Sequence, residues 1–448
     1  MIRKGLAIGV ILLFIGLCVV PSTAIQEFKE TKLPVVLDGN TLYVGGNGPN
    51  NYTRIQDALD NASPSDTVYV FNGTYKEHIV ITTSIFLIGE NKYTTIIDGN
   101  NSGSTIRIHW WNVHIQGFTI QNSGNQGDRD AGIRLGGYTY TPKKCSIKDN
   151  IFRDNCDAIW ICDASDSIIS DNIISNNRHA GIYSNSALNH NNISNNYIEN
   201  NSNQGIFLFS SKYNRIFDNI INQHNGGIVL QESYGNQIYD NIISNASTGI
   251  LITNSDNELF GNTIINNDLG IHLFPLVRNI KIYHNSFLNN SQDASDISQN
   301  DWDDGPLSGG NYWDDYEGVD NDGDGIGDSP YNVGDGRNID EYPLMNVYKS
   351  QRGIHFNIKT SLLKIRFYIE NKADESIENI QWKIFGRIIL LNNRQSGVIP
   401  FLNENETIMI ESKGIIGLGI ISVLVFTENW RWVEYGIVLG PLLLINNK

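Results

Sequence analysis

The chain reads as all-β: a right-handed, single-stranded parallel β-helix followed by an immunoglobulin-like β-sandwich. Three observations carry this reading. An asparagine returns at Asn150, Asn172, Asn196, Asn219, Asn241, Asn262 and Asn285, in steps of 21 to 24 residues. Three places before each stands an aliphatic residue (Ile147, Ile169, Ile193, Ile216, Ile238, Leu259, Ile282), and two places after stands another apolar one (Phe152, Ile174, Ile198, Ile221, Ile243, Ile264, Phe287). A second apolar pair keeps the same beat at Ile133/Leu135, Ile159/Ile161, Ile206/Leu208, Ile228/Leu230, Ile250/Ile252 and Ile271/Leu273, and only Ile182/Ser184 departs from it. A period of this size marks stacked coils, none of which can bury its apolar face alone.

The residues between the marks decide what kind of coil this is. Apolar and polar residues alternate over runs of three to five, the period of short strands. The connectors are Asn, Ser, Asp and Gly, which suit turns and left-handed backbone. No stretch of about ten residues carries a 3.6-residue stripe, so a helix in every repeat is excluded. Leucine-rich repeats share the length and an asparagine, but they need one strand per repeat with the spacing L-x-x-L-x-L-x-x-N. Three strand-like pieces per coil favour the β-helix. Right-handed coiling follows the general rule for parallel crossovers, and stacked asparagine side chains are expected to hydrogen-bond along the rod.

Around this core the chain divides into four parts. Residues 1–24 form an export leader: Arg3 and Lys4 precede an apolar run from Leu6 to Val20, and Ser22-Thr23-Ala24 offers a small-residue cleavage site. Residues 40–300 form the β-helix. A short helix over Tyr52–Asn61, with Ile55, Ala58 and Leu59 on one face, covers its open end. Residues 301–345 are rich in Asp, Gly, Trp and Tyr. Residues 353–448 carry longer strand-like runs at Leu362–Ile369, Ile380–Ile384, Thr407–Ile410 and Ile416–Phe426, spaced as in a sandwich. Their apolar stretches are too short for membrane spans, so no span is expected after the leader.

Composition narrows the partners. A formal charge of −16 makes nucleic acid a poor ligand. Cys145, Cys156 and Cys162 remain after the leader, an odd number with no metal-ligand spacing, consistent with one bridge and a free thiol or with three thiols. Nine N-x-S/T sequons begin at Asn51, Asn61, Asn72, Asn100, Asn192, Asn200, Asn245, Asn289 and Asn405. In an asparagine-rich chain many such triplets arise by chance.

Several segments together carry a family resemblance. Tyr52-Thr53-Arg54-Ile55-Gln56-Asp57-Ala58, Asp66-Thr67-Val68-Tyr69-Val70, Gly73-Thr74-Tyr75 and Thr95-Ile96-Ile97-Asp98-Gly99 resemble the start of NosD-like secreted β-helix proteins. The Asn-Ile-Ile and Gly-Ile repeats and Gly310-Asn311-Tyr312-Trp313-Asp314-Asp315-Tyr316 are similar too, so the resemblance covers roughly residues 40 to 345. It implies a β-helix of the pectin-lyase-like class, found in carbohydrate-binding proteins and sugar hydrolases, with a founding member tied to periplasmic copper supply. More loosely, the C-terminal part, with Phe385-Gly386-Arg387 and Gly436-Ile437-Val438-Leu439-Gly440-Pro441, resembles sandwich domains of archaeal-type surface proteins.

Two regions carry candidate chemistry. The run Asp320-Asn321-Asp322-Gly323-Asp324-Gly325-Ile326-Gly327-Asp328 spaces carboxylates so that oxygens wrap one hard cation, with Asp320, Asp322, Asp324, Ile326 and Asp328 as the calcium ligands. Tyr331 rather than Glu stands twelfth, so the loop is no EF-hand; it resembles dockerin or thrombospondin-type turns, and Asp314, Asp315 or Asp335 are the residues to complete the shell. The bland reading is a solvated acidic turn. The second region is the residue that must point outward between each inward Ile and Leu: Arg134, Trp160, Tyr183, Phe207, Val229, Leu251 and His272. Arg107, His109, Arg134, Trp160, Asp163 and Tyr183 are the expected carbohydrate contacts, while Phe207, Val229 and Leu251 suit docking of protein.

Catalysis has thinner support. Asp128-Arg129-Asp130 and Arg153-Asp154 are raw material for acid–base work, but each reads as a solvated turn, and no paired-carboxylate pattern stands out. Copper is disfavoured, because Met345 and Met409 are the only methionines beyond the leader and the cysteines are not arranged for Cu(I); His109 and His114 are the thin case for it. The expected protein is therefore secreted or on the cell surface, binds or organises a polysaccharide or glycan beside other cell-envelope components, and is non-catalytic. The alternatives are a polysaccharide lyase or hydrolase and a copper-handling accessory protein.

Overall fold

A computed structural model describes residues 39–348, apart from 126–129, Tyr138, Ala187, Leu307 and Asp335, and then 354–361, 364–371, 377–386, 389–391, 394–403, 406–412, 416–426, 431–440 and 442–445. The leader, Asp128, Arg129, Asp335 and the Asn405 sequon lie outside these residues. The chain forms two units, residues 35–351 and a second built on 352–448.

The first unit is a right-handed parallel β-helix with three sheets. Sheet A has eleven strands from Thr41–Val44 to Lys281–Tyr283, sheet B eleven from Gly73–Lys76 to Tyr312–Trp313, and sheet C ten from Ile79–Ile81 to Gln292–Asp296. A typical coil runs Ser146–Lys148 in A, Ile151–Arg153 in B and Asp157–Cys162 in C before returning to A at Ile168–Ser170. Within these three sheets pairing is parallel and keeps like over like: Ile147 lies on Ile169, Phe152 on Ile174, and Ile159 on Ile182; a short antiparallel pair, Tyr331–Val333 with Asn338–Asp340, stands outside them. These inward side chains are 0–1 % exposed. Each coil removes its apolar face from water only through its neighbours, so the core is one column.

Ladders hold the corners. At the A–B turn Asn219 is buried; its backbone N–H and its Nδ2 both donate to Asn241 Oδ1 at 3.0 Å, and Nδ2 also reaches the Ile193 and Phe217 carbonyls. The same bonds run from Asn150 to Asn311. A second ladder at the B–C turn contains Asn155, Asn177, Asn201, His224, Asn267 and Asn290. A third at the C–A turn contains Ser167, Asn191, Asn214, Asn236 and Asn257. The residue directly before a rung at each of the three corners takes left-handed backbone, as Asp149, Asp218 and Asp240 do at the A–B turn, His190 and Asp256 at the C–A turn, and Asn176, Asn200 and Asn245 at the B–C turn, with φ of 50–61°. Asparagine tolerates that region better than other side chains.

Both ends are covered. The helix Ile55–Asp60 buries Ile55, Ala58 and Leu59 over the first coil. Arg54 at its N-cap makes no side-chain cap; instead Glu77, from the coil beneath, accepts from the Ile55 and Gln56 amides at 2.9 and 3.1 Å. A carboxylate there answers both the unpaired N–H groups and the helix dipole. At the other end the stack continues beyond the last Gly-Ile-x-Leu pair. Gln292–Asp296 joins sheet C with Ala294 under Ile271, and Tyr312–Trp313 joins sheet B. Ala294 was illegible as a core residue because a small side chain replaces the aliphatic. The missing volume is filled by Trp302 and Trp313, both about 1 % exposed, with Trp313 stacked on Phe287 at 4.3 Å.

The second unit is antiparallel. Ile354–Ser361, Lys364–Asn371 and Thr407–Glu411 form one sheet; a six-stranded sheet includes Ile377–Gly386, Arg394–Leu402, Ile416–Phe426 and Arg431–Gly440. Phe367 of the first meets Trp382 of the second edge-on at 5.6 Å. Among the described residues no helix is long and apolar enough to cross a membrane.

Candidate functional site

The outward row on sheet C is real as a register. Arg107, Arg134, Trp160, Tyr183, Phe207, Val229, Leu251 and His272 are successive Cα partners up the sheet. Period-2 alternation fixes this, since the neighbours of each face the core.

What each side chain does differs along the row. Arg107 is exposed and Arg134 half-buried. Trp160, expected to face outward as a carbohydrate contact, is only 2 % exposed and so offers no open ring face. The Arg134 guanidinium lies 4.3 Å over the Trp160 ring, and Ala131, Cys162 and Tyr183 pack around it. Alternation along a strand tells which face a residue takes; it does not tell what lies above it. Tyr183 stacks on Phe207 at 4.7 Å and 11°. His109 stacks flat on Tyr140 at 4.1 Å. Burial, then the charges of Arg107 and Arg134, hold the His109 imidazole below its ordinary range, so this corner is cationic in an acidic chain. Asp163 stands beside it, with Oδ2 3.8 Å from Cys162 Sγ.

Farther along the row the face opens into a shallow groove of about 380 Å³. Its floor is Phe207, Val229 and Leu251, Phe274 is a wall, and Gln204, Asn225, Gln231, Thr248 and Thr253 give it polar margins. Gln204 Oε1 is buried and has no partner among the described residues. An orphaned carbonyl oxygen beside an open groove asks for a donor. The sequence reading did not single out Gln204; its signal was its place three residues before Phe207.

A second feature escaped the sequence reading. Asp157, fully buried, accepts from His179 Nδ1 at 2.6 Å and from the Ala180 amide at 3.1 Å, while its Oδ2 has no partner among the described residues. His179 lies 5.5 Å from the Tyr183 ring. A carboxylate-oriented imidazole at a surface can hold or pass a proton. Nothing local pairs residues 22 apart; only the coil length brings them together. Other missed aromatics are Trp110 and Trp111, stacked at 6.1 Å and 45 % and 55 % exposed.

In the acidic segment, Asp320, Asp322 and Asp324 bring carboxylate oxygens within 4.8 Å of one another. Asp320 is held by the Gly323 and Gly325 amides at 2.7 and 2.9 Å, which lower its pKa, while the neighbouring Asp324 charge raises that of Asp322. Asp328 instead accepts from Asn321 N and Nδ2 at 2.8 and 2.6 Å, and Ile326 donates its amide to Asp324. Asp314 and Asp315 gather with Asp293, not with this loop. Burial pushes Asp293 up to about 6. Among the described residues, Cys145, Cys156 and Cys162 form no disulfide.

Fold and site together define a β-helix protein with an aromatic and cationic strip on one outer face. The chain belongs to the family described as "Periplasmic copper-binding protein (NosD)", whose model matches residues 59–248 and 240–318. It is 36% identical over 84 residues to the "Probable ABC transporter binding protein NosD" of Pseudomonas aeruginosa, a match covering 19% of each chain, so about a fifth of that relative's length is spanned. Among solved structures it is similar to an alginate lyase from Paenibacillus sp. (15% identity, TM-score 0.42, 55% of this chain and 94% of that one). It is also similar to pectate lyase Pel9A (15%, 0.43, 60% and 80%) and to tailspike protein 2 of an Escherichia coli O157:H7 bacteriophage (12%, 0.45, 91% and 68%). These likenesses extend to the coiled architecture and no further.

The family's description names copper, and the donor atoms of the chain decide whether that metal fits here. Among the described residues, two groups bring three ligand atoms together, and both consist wholly of carboxylates. Copper ions favour thiolate, thioether and imidazole, whereas carboxylates suit hard cations. Burial raises the Cys145 thiol to about 11, away from the thiolate that binds metal. These residues do not fit copper.

Proposed function

We propose that this NosD-family chain is an extracytoplasmic, non-catalytic β-helix that binds saccharide along the outer face of sheet C. The observation that carries the reading is the groove beside Gln204. An apolar floor of Phe207, Val229 and Leu251 suits the C–H face of a sugar ring, and the amide and hydroxyl margins suit its hydroxyls. Gln204 lines the groove, and its amide can serve one of those hydroxyls once the covered, unpartnered Oε1 turns toward the opening. Arg107, Arg134 and His109, joined to the groove through Tyr183, favour a saccharide bearing carboxylates. The residues expected to dock protein and those expected to contact sugar thus fall on one continuous surface.

The family description and the leader-like start support a place outside the cytoplasm. We read the Asp320 loop as a calcium site that steadies the 301–345 segment, because three mutually repelling carboxylates, two of them on exposed residues, suit a hard cation. The antiparallel second unit is read as an immunoglobulin-like sandwich serving attachment to the cell envelope.

Calorimetric titration of the full chain with neutral and uronate-containing oligosaccharides tests the main reading. Binding is expected, with Gln204→Ala and Tyr183→Ala each weakening it about tenfold, the size of one lost hydrogen bond or stacking contact. Absence of heat across the panel sinks the reading; absorbance from unsaturated product would make the protein a lyase instead.

A further inference from the structure

Three of the sequons, far apart in the sequence, line up in space. Asn200, Asn245 and Asn289 occupy equivalent positions at the B–C turn, all exposed and left-handed, with φ of 50°, 53° and 50°. The next residue in each triplet faces inward at a ladder position. Asn201 Oδ1 accepts from Asn177 N at 3.0 Å, the Ala246 amide donates to Asn267 Oδ1 at 3.0 Å, and Asn290 Oδ1 accepts from Asn267 N at 2.9 Å. The third residue, Ser202, Ser247 or Ser291, is exposed.

The fold accounts for two of the three residues. Left-handed backbone favours asparagine at the first place, and the ladder favours it at the second. The coil does not demand serine at the third, where other rungs carry Cys156, Arg178, Asn225 and Asp268; Ser202 makes one long bond there, from its hydroxyl to the Asn177 carbonyl at 3.4 Å. The serine rungs also alternate. The rungs between them read Gln223-His224-Asn225 and Asn266-Asn267-Asp268, neither of which is a sequon. Successive rungs lie about 5 Å apart, so alternate ones are separated by about 10 Å, which leaves room for a sugar chain on each.

We propose that Asn200, Asn245 and Asn289 are N-glycosylated, setting a line of glycans along the B–C edge of the rod. This rests on the extracytoplasmic reading above. The donor is a saccharide linked to a lipid diphosphate. The asparagine Nδ2 forms a bond to the anomeric carbon, the bond from that carbon to the diphosphate oxygen breaks, one amide proton is lost, and the lipid diphosphate leaves. One N–H remains on each modified amide. It preserves the existing bonds from Asn200 Nδ2 to Asn176 Oδ1 and from Asn245 Nδ2 to Asn222 Oδ1, both 2.7 Å. Bulky hydrophilic chains on this edge keep the strand ends soluble and leave the middle of sheet C clear.

The test is peptide mass spectrometry on the full chain isolated from the organism that encodes it, with cytoplasmic and extracytoplasmic fractions compared. Peptides containing Asn200, Asn245 and Asn289 are expected to be heavier by one or more monosaccharide residues. Ser202→Ala, Ser247→Ala and Ser291→Ala should each abolish the increment at their own site while leaving the turn asparagine and the ladder intact. Unmodified peptides from extracytoplasmic protein overturn the proposal and leave the location standing. Protein found only in the cytoplasm, and unmodified, overturns both. Sugar on Asn61 or Asn192 but not on these three overturns the edge assignment.

Discussion

Asp340 receives the last rung of the A–B asparagine ladder: its Oδ2 accepts from the Asn311 backbone amide at 2.7 Å and from the Trp313 indole at 2.9 Å. Every rung donates in the same direction, so the column arrives at this end with N–H groups unspent, and an acceptor is required. The carboxylate is fully buried, and burial, only partly offset by these bonds, pushes it up to about 6. Its folded value thus exceeds the ordinary one near 3.8. The associated stability is present below pH 3.8 and is lost as pH rises through 6, by at most about 3 kcal/mol. Asp293, also raised to about 6, acts in the same sense. Asp340→Asn should flatten part of this dependence, read as a smaller difference in Tm between pH 4 and pH 7.5.

His224 predicts the opposite trend. It takes an asparagine's place in the B–C ladder, accepting from Asn201 at Nε2 while its buried Nδ1 has no partner among the described residues. Burial depresses its pKa to about 4 from 6.5. A depressed value gives stability that is complete above pH 6.5 and lost as pH falls through 4, on the order of 3 kcal/mol. His224→Asn should therefore remain stable in mild acid where the parent weakens. Equal Tm profiles for the two proteins between pH 7 and pH 4.5 would refute the assignment.

Asp157 and His179 give a third prediction. His179→Ala leaves a buried carboxylate without its nearest donor, at a cost of roughly 3 kcal/mol in chemical denaturation. The double change Asp157→Asn with His179→Ala should recover part of that loss. If the single variant proves as stable as the parent, the pair is incidental.

At the exposed end of the row, Arg107→Ala should leave Tm unchanged and reduce affinity for a uronate-bearing oligosaccharide about tenfold or more, since one charge-assisted hydrogen bond is worth about 1.5–3 kcal/mol. The reduction should shrink in high salt. Affinity for neutral sugars should hardly move.

For the acidic loop, chelation with EDTA should lower the Tm of the first unit, and calcium should restore it where copper does not. Asp320→Asn, which alters the carboxylate bound by the Gly323 and Gly325 amides, should remove the response. A Tm indifferent to chelator means a solvated turn.

Much of the rod was legible because its rules are repetitive. The inward rows around Ile147 and Phe152 and the outward row through Tyr183 follow from period 2 and a coil of constant length. The B–C ladder stayed hidden because its rungs sit in doublets such as Asn176-Asn177 and Asn200-Asn201, and His224 and Ala246 interrupt the pattern. The cover over Trp160, the Asp157–His179 pair and the groove at Gln204 depend on what the neighbouring coil supplies, which no local spacing records. The Asp320 loop was legible only as a cluster: three of its acids converge, and Asp328 turns to Asn321.

The uniform direction of the corner bonds makes each coil interchangeable with the next. Asn219 gives to Asn241 what Asn241 gives to Asn262. A chain lacking residues 220–241 would bring Asn219 directly onto Asn262, rejoin all three walls and come out shorter by one strand spacing, about 5 Å. Duplication would lengthen it by the same step. Such a molecule can change its reach by whole turns without redesigning either end.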